Sequence, residues 1–227
     1  MSIQSMQPNK NKALMLAKRQ LSELVFDAVN LEGIHFTLPE VQTLLDGITV
    51  GGHTLNDQQV ALNQANAWRY LFDLIERDAF VLDKPTVLAC HAIAAEGEAL
   101  EWGQFRSGGV TIAGTDYLPP AASELDQAWD SMLADVGAIK EIYPRAISVF
   151  LHMARQQFFY DVNKRMGRFM MNGLLLSAGY PAINLPAKRQ LEFNELMLAF
   201  YPSNDMRAMT QFMLDCLDPR VMKVMSE

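Results

Sequence analysis

Cysteine is scarce in this chain: two among 227 residues, Cys90 and Cys216, far apart and neither in a Cys-x-x-Cys pair. That scarcity argues against a disulfide framework or a thiolate zinc site, and both side chains read as small buried apolar groups. Histidine is almost as sparse, and His35, His53, His91 and His152 are scattered without the spacing of metal ligands. No apolar run is long enough to span a bilayer, and the N-terminal residues lack the basic, apolar and small-residue succession of a signal peptide. A cytoplasmic location is the expectation. Blocks of lysine or arginine are missing too, and the net charge is -7. That balance disfavours binding along a nucleic-acid backbone but leaves room for one small basic pocket.

What is present is apolar periodicity. Hydrophobic residues make up 50% of the chain, enough for a substantial core in a domain of this length. Met1 to Asn11 is polar and expected to fray. Apolar spacing from Lys12 to Val29 predicts a helix ending near Gly33. Thr37 and Glu40 form a capping box for a second helix, which stops around Gly47. Further helices are expected at about 57–77, from Pro85 to Glu98, over 122–142, at 188–200 and at 203–217, followed by a polar tail. Two richly apolar segments, 146–153 and 169–178, read as the central helices. Between Gly103 and Pro120 the pattern changes: glycines, prolines and the alternating run Val110-Thr111-Ile112 predict a β-hairpin. The expected fold class is all-α, a bundle of about eight helices with a small β-hairpin flap.

The chemistry is concentrated between the central helices, in Gln157-Phe158-Phe159-Tyr160-Asp161-Val162-Asn163-Lys164-Arg165-Met166-Gly167-Arg168. Charge between two apolar helices is costly unless it has a purpose. If the second helix starts near Asn163, its first amides are free and its dipole favours an anion. Arg165 and Arg168, three apart, share a face and can point at one polyphosphate. Asp161 lies where a carboxylate could hold a magnesium ion. An alternative stays open on spacing alone: Asp161 or Asn163 caps the helix while the arginines bridge neighbouring acids.

This stretch resembles the signature of the Fic/Doc (Fido) family, H-x-F-x-[DE]-G-N-[GK]-R-x-x-R, with Phe159, Asp161, Asn163, Arg165 and Arg168 in register. Leu31-Glu32-Gly33 with the Thr37–Glu40 segment, the run from Gly103 to Ile112, and Gly179-Tyr180-Pro181 extend the likeness over roughly residues 21–217. The resemblance implies a Fic-type domain at 21–217, with 1–20 as a helical extension and 218–227 as a tail. It also implies transfer of AMP from ATP to a hydroxyl of a target protein, with Mg2+ as cofactor. By that likeness Asp161 holds the metal and Asn163, Lys164, Arg165 and Arg168 hold the phosphates. Phe159 anchors the loop, and the flap residues Gln104, Phe105, Arg106, Val110, Thr111 and Ile112 dock the target by strand addition. Glu32 resembles the family's inhibitory glutamate, which pairs with the second motif arginine, here Arg168. Ala28 stands where that motif has Ser or Thr.

Three residues depart from the pattern. Gln157 occupies the position of the catalytic histidine, and an amide cannot accept a proton near neutrality, a loss worth about a hundred- to ten-thousandfold in rate. Val162 replaces the loop glycine and is expected to resist a positive φ. Lys164 resembles the Doc branch, whose members transfer a phosphoryl group. His152, earlier on the same helix, faces elsewhere and reads as a packed residue. The sequence therefore points to a nucleotide- or phosphate-binding, catalytically impaired member. The alternatives are a Doc-like or AMP transferase using another base, and a non-catalytic interaction module. A target protein is the implied partner, without membrane or nucleic acid, and a homo-oligomer stays open.

Overall fold

The computed structural model describes residues 5–227, so Met1 to Gln4 of the stretch expected to fray lie outside the described residues. Asn9 begins the first helix, accepting from Lys12 N at 2.9 Å, and α1 runs Lys10–Arg19. The single helix expected over 12–29 breaks at Gln20, and α2 spans Leu21–Leu31. Gln20 N–H is shared between Leu16 O and Ala17 O, both at 3.1 Å. The break lets the two segments bury separate faces, Ala13, Leu14 and Ala17 on one and Leu24, Val25 and Ala28 on the other.

α3 (Leu38–Leu45) starts at the expected capping box, with Thr37 N donating to Glu40 Oε2 at 2.7 Å. A second box, Thr54 with Asp57, starts α4 (Leu55–Glu76). Asp83 caps α5 (Lys84–Ala94), which ends before the predicted Glu98. α6 (Leu125–Ala138) buries Leu125, Trp129, Met132 and Val136. α7 (Ile142–Gln156) and α8 (Asn163–Ser177) are the central pair, buried over most of their length and packed on each other. They approach closely at Gly167, where an added Cβ would lie 3.0 Å from Phe150 O. α9 (Gln190–Ser203) and α10 (Arg207–Leu214) cover one side.

Residues 218–227, expected as a polar tail, hold α11 (Pro219–Met225), which buries Val221, Met222 and Met225. Asp218 caps it, and Met225 O accepts from Gln7 N at 3.0 Å. Eleven α-helices thus stand among the described residues, where about eight were expected.

The β-hairpin expected at 103–120 is not formed. There is no strand among the described residues, and residues 107–120 make no backbone–backbone hydrogen bond. The physical reason is visible in the composition. Glycines and prolines leave only three alternating residues, too few to form a ladder. The segment is shaped by side chains instead.

Candidate functional site

Between α7 and α8 the chain turns sharply. Gln157 closes α7 in the left-handed region, with φ 50° and ψ 59°. Phe158 and Phe159 then enter the core, both fully buried. Phe105 stacks on Phe158 with centroids 5.0 Å apart, and His91 of α5 stacks on Phe159 at 3.7 Å. His91 also ties the backbone together. Its Nδ1 accepts from Gly103 N at 3.1 Å, so Nε2 carries the proton and donates to Asp161 O at 3.3 Å. Burial pushes its pKa down to about 4, which keeps the ring neutral.

Val162 takes the positive φ that a valine was expected to resist, with φ 67° and ψ 8°. The surrounding structure imposes it, and the strain is about 1–2 kcal/mol. Val162 N donates to Asp161 Oδ1 at 2.6 Å. Asn163, expected to hold phosphate, points back into the loop. Its Oδ1 accepts from Phe159 N at 2.9 Å, while its Nδ2 donates to Phe159 O at 2.8 Å and to Gln157 Oε1 at 3.1 Å. Its side chain is a brace and has no free donor for a ligand. Gln157 is committed as well, since its Nε2 donates to Ala154 O at 2.6 Å. No side chain caps α8, so neither Asp161 nor Asn163 fills the capping role, and the first amides of the helix keep their donors.

The three cations of the first α8 turns converge on carboxylates. Arg168 Nη2 donates to Glu32 Oε1 at 3.2 Å, Lys164 Nζ lies 3.7 Å from Glu32 Oε2, and Arg165 Nε lies 4.0 Å from Glu32 Oε1. The Glu32–Arg168 pairing implied by the resemblance is therefore present. Arg165 has a second acid, Glu98, which grips both ends of its guanidinium: Nη1 reaches Oε2 at 2.9 Å and Nη2 contacts Oε1. The bridging of neighbouring acids left open by spacing alone is thus present. Burial alone raises the Glu32 carboxyl, but Lys164, Arg165 and Arg168 outweigh it and hold Glu32 below its ordinary value. Burial also lowers Arg168 to about 10, against the pull of Glu32. For Arg165, burial is overcome by Glu98 and Glu32, and its pKa rises. Behind these groups lies a cavity of about 20 Å³, lined by Arg165, Arg168, Gln64, Trp68 and Ala28 among others.

The flap residues divide. Arg106 is 2% exposed and cannot dock a target. Its guanidinium donates to Gln157 O and Gly108 O, each at 2.6 Å, and to Pro120 O at 2.5 Å, pinning the segment to the loop. Its backbone N–H also reaches Phe158 O at 2.9 Å. Phe105 is an inward anchor as well, packed on Trp129 and both loop phenylalanines. Gln104 and Thr111 are exposed, Val110 and Ile112 are half-exposed, and their backbone is unpaired.

Beside the flap lies a cleft of about 440 Å³, lined by Thr111, Ile112, Gln157, Tyr160, Asp161 and Lys164 on one side. Phe193, Asn194, Met197, Leu198 and Tyr201 of α9 face them. One wall is thus charged and the other largely apolar. Among the described residues no three His, Cys, Asp or Glu side chains are grouped to hold a metal. Asp161 is exposed and lines the cleft, with one carboxylate oxygen engaged by Val162 N. A magnesium ion held by one carboxylate and a ligand's phosphates fits that donor set. Sequence reasoning missed Glu98 and His91. Both contacts join segments about seventy residues apart, and neither residue sits in a pattern that spacing can flag. No helix among the described residues is long and apolar enough to cross a membrane.

Residues 81–175 match the model of the Fic/DOC family. Proteins named protein adenylyltransferase Fic are similar over 215 residues, at 23% identity in Drosophila mojavensis and 24% in Drosophila erecta. The match takes in 92% of this chain but only 42% and 43% of those proteins, so the chain spans less than half the length of these relatives. Among solved structures, a Fic-1 fragment from C. elegans superposes with a TM-score of 0.77 at 15% identity, covering 94% of this chain and 71% of its own. A Fic domain containing signaling protein from Bacteroides thetaiotaomicron gives 0.77 at 17% identity, covering 97% and 91%. At such identities the likeness establishes the all-helical fold and nothing finer.

Proposed function

We propose that the chain, whose residues 81–175 match the Fic/DOC family, binds a nucleotide or a similar phosphorylated ligand in the cleft and transfers its AMP slowly or not at all. The observation that carries this reading is a pair. Lys164, Arg165 and Arg168 of the first two turns of α8 converge on Glu32, and Gln157, which lines the cleft together with Lys164, is a hydrogen-bonded glutamine. Lys164, Arg165, Arg168 and the free amides would take the outer phosphates once the carboxylates that hold them withdraw. The apolar wall of Met197, Leu198 and Tyr201 would take the base. Asp161 would hold Mg2+, which supplies charge neutralisation between phosphates. The open backbone at Val110 to Ile112 would align a target peptide, its unpaired groups serving as a strand edge.

Gln157 has no proton-accepting nitrogen, and its two ends are already bonded, to Ala154 O of α7 and to Asn163 Nδ2 of α8. Incoming hydroxyl groups would meet no base there. Two titrations test the reading. Mg–ATP should raise the melting temperature of the Glu32→Gly variant more than that of the wild type. Incubation with α- or γ-labelled ATP should leave wild type and Glu32→Gly essentially unlabelled, whereas Glu32→Gly with Gln157→His should gain label from the α position. Rapid labelling of the wild type would overturn the impaired reading. Label from the γ position alone would favour Doc-like phosphoryl transfer, which Lys164 resembles.

A further inference from the structure

We propose that Glu98 is a second internal occupant of the phosphate site, which withholds Arg165 from a ligand's outer phosphates until the segment leading into the flap shifts. This rests on the reading that Arg165 and Arg168 face those phosphates. Arg165 is 3% exposed, and both terminal nitrogens of its fork lie on the two oxygens of Glu98. Nε is buried and without a hydrogen-bond partner, and each terminal nitrogen keeps one further N–H. A guanidinium grips a carboxylate and a phosphate through the same pair of parallel bonds. Glu98 therefore occupies the end-on pair of donors through which this fork would grip a phosphate.

The placement of Glu98 gives it a means of release. It follows α5 in a turn closed by Glu98 N donating to Ala95 O at 3.0 Å. Behind it, Asn63 Nδ2 holds Glu96 O at 2.8 Å, and ahead of it His91 holds Gly103 N. Between those anchors the chain exposes Leu100 and Trp102, then runs straight into the flap. A displacement of the flap base can be carried to Glu98 through this short stretch alone. Electrostatics points the same way. With Glu32 and Glu98 both in place, the positive charges of Lys164, Arg165 and Arg168 are nearly balanced. If Glu32 alone leaves, a polyphosphate still meets the Glu98 carboxylate on the arginine it must engage, a like-charge contact that disfavours binding.

Binding of Mg–ATP and of Mg–AMP to the full chain, measured by calorimetry, tests this. The variants are Glu32→Gly, Glu98→Gln, and both together, with circular dichroism and melting temperature as folding checks. The double variant should bind Mg–ATP at least tenfold tighter than Glu32→Gly, with no such gain for Mg–AMP, which lacks the outer phosphates. Glu98→Asp in the Glu32→Gly background should fall between the two, because it withdraws the carboxylate by one methylene, and it serves should Glu98→Gln fold poorly. If Glu98→Gln weakens Mg–ATP binding or leaves it unchanged in that background, Glu98 is a brace that aims Arg165, and the proposal fails while phosphate binding stands. If no variant binds Mg–ATP, the underlying reading fails with it.

Discussion

At the scale of single residues, the loop preserves its shape with unsuitable parts. Val162 accepts a backbone geometry that glycine adopts freely, because Asn163 bonds both backbone groups of Phe159 and His91 holds Asp161 O. Substitution here should invert the usual order. Glycine normally costs about 1 kcal/mol relative to alanine, but Val162→Gly should be at least as stable as Val162→Ala in urea denaturation, since only alanine retains the left-handed strain. A clear advantage for alanine would show that the loop relaxes out of that conformation in solution. The loop residues themselves were legible in the sequence, as was the pairing of Glu32 with Arg168. Their other partners were not. Whether Asn163 faces a ligand or its own loop depends on φ and ψ at positions 157 and 162, which composition does not encode. Glu98 sits in an undistinguished Ala-Glu-Gly-Glu run, and only the folded chain brings it to Arg165.

At the scale of elements, helices were read well where caps and periodicity agree, as at α3 with Thr37 and Glu40. They were read poorly where tertiary packing decides. Gln20 divides one periodic stretch because its two halves have different neighbours, and α11 forms because its apolar residues find a surface on α1. The expected hairpin is the clearest departure: its residues are held by the Arg106 guanidinium and the His91 ring, in place of a ladder. That dependence has a signature in pH. His91 is held near 4 in the folded chain against an ordinary value of 6.5. Between those values the unfolded chain binds the extra proton and the folded chain does not, so stability must fall as pH drops through this window. The full loss is about 3 kcal/mol. His91→Phe should be less stable at pH 7, because Gly103 N and Asp161 O lose their partner. It should also show a shallower decline from pH 6.5 to 4 in denaturant midpoints. An equal slope in both proteins would assign the acid sensitivity to other groups.

At the scale of the whole molecule, α7 and α8 set the distance between the glutamine end of the loop and the cationic turn. Gly167 lets them meet, with Phe150 backbone and ring atoms about 3 Å from where a Cβ would stand. Gly167→Ala should therefore cost about 1–3 kcal/mol, read as a lowered melting temperature. Because Arg165 and Arg168 flank this residue, the same change should displace both guanidinium groups relative to Glu32 and Glu98. A neutral outcome would mean that the pair slides apart without strain. The all-helical class and the burial of this pair followed from their apolar sequence; the close contact at one glycine did not, since a glycine in the sequence does not say whether it meets a neighbour, as Gly167 does, or open space, as Gly137 does.

The bracing of the loop by Asn163, Arg106 and His91 leaves the cradle independent of what residue 157 can do chemically. On the function proposed above, a protein built this way would act by amount and not by turnover. Each copy would hold one guest for as long as the guest stays, so its influence on a cell would scale with how many copies are made, and dilution would abolish it.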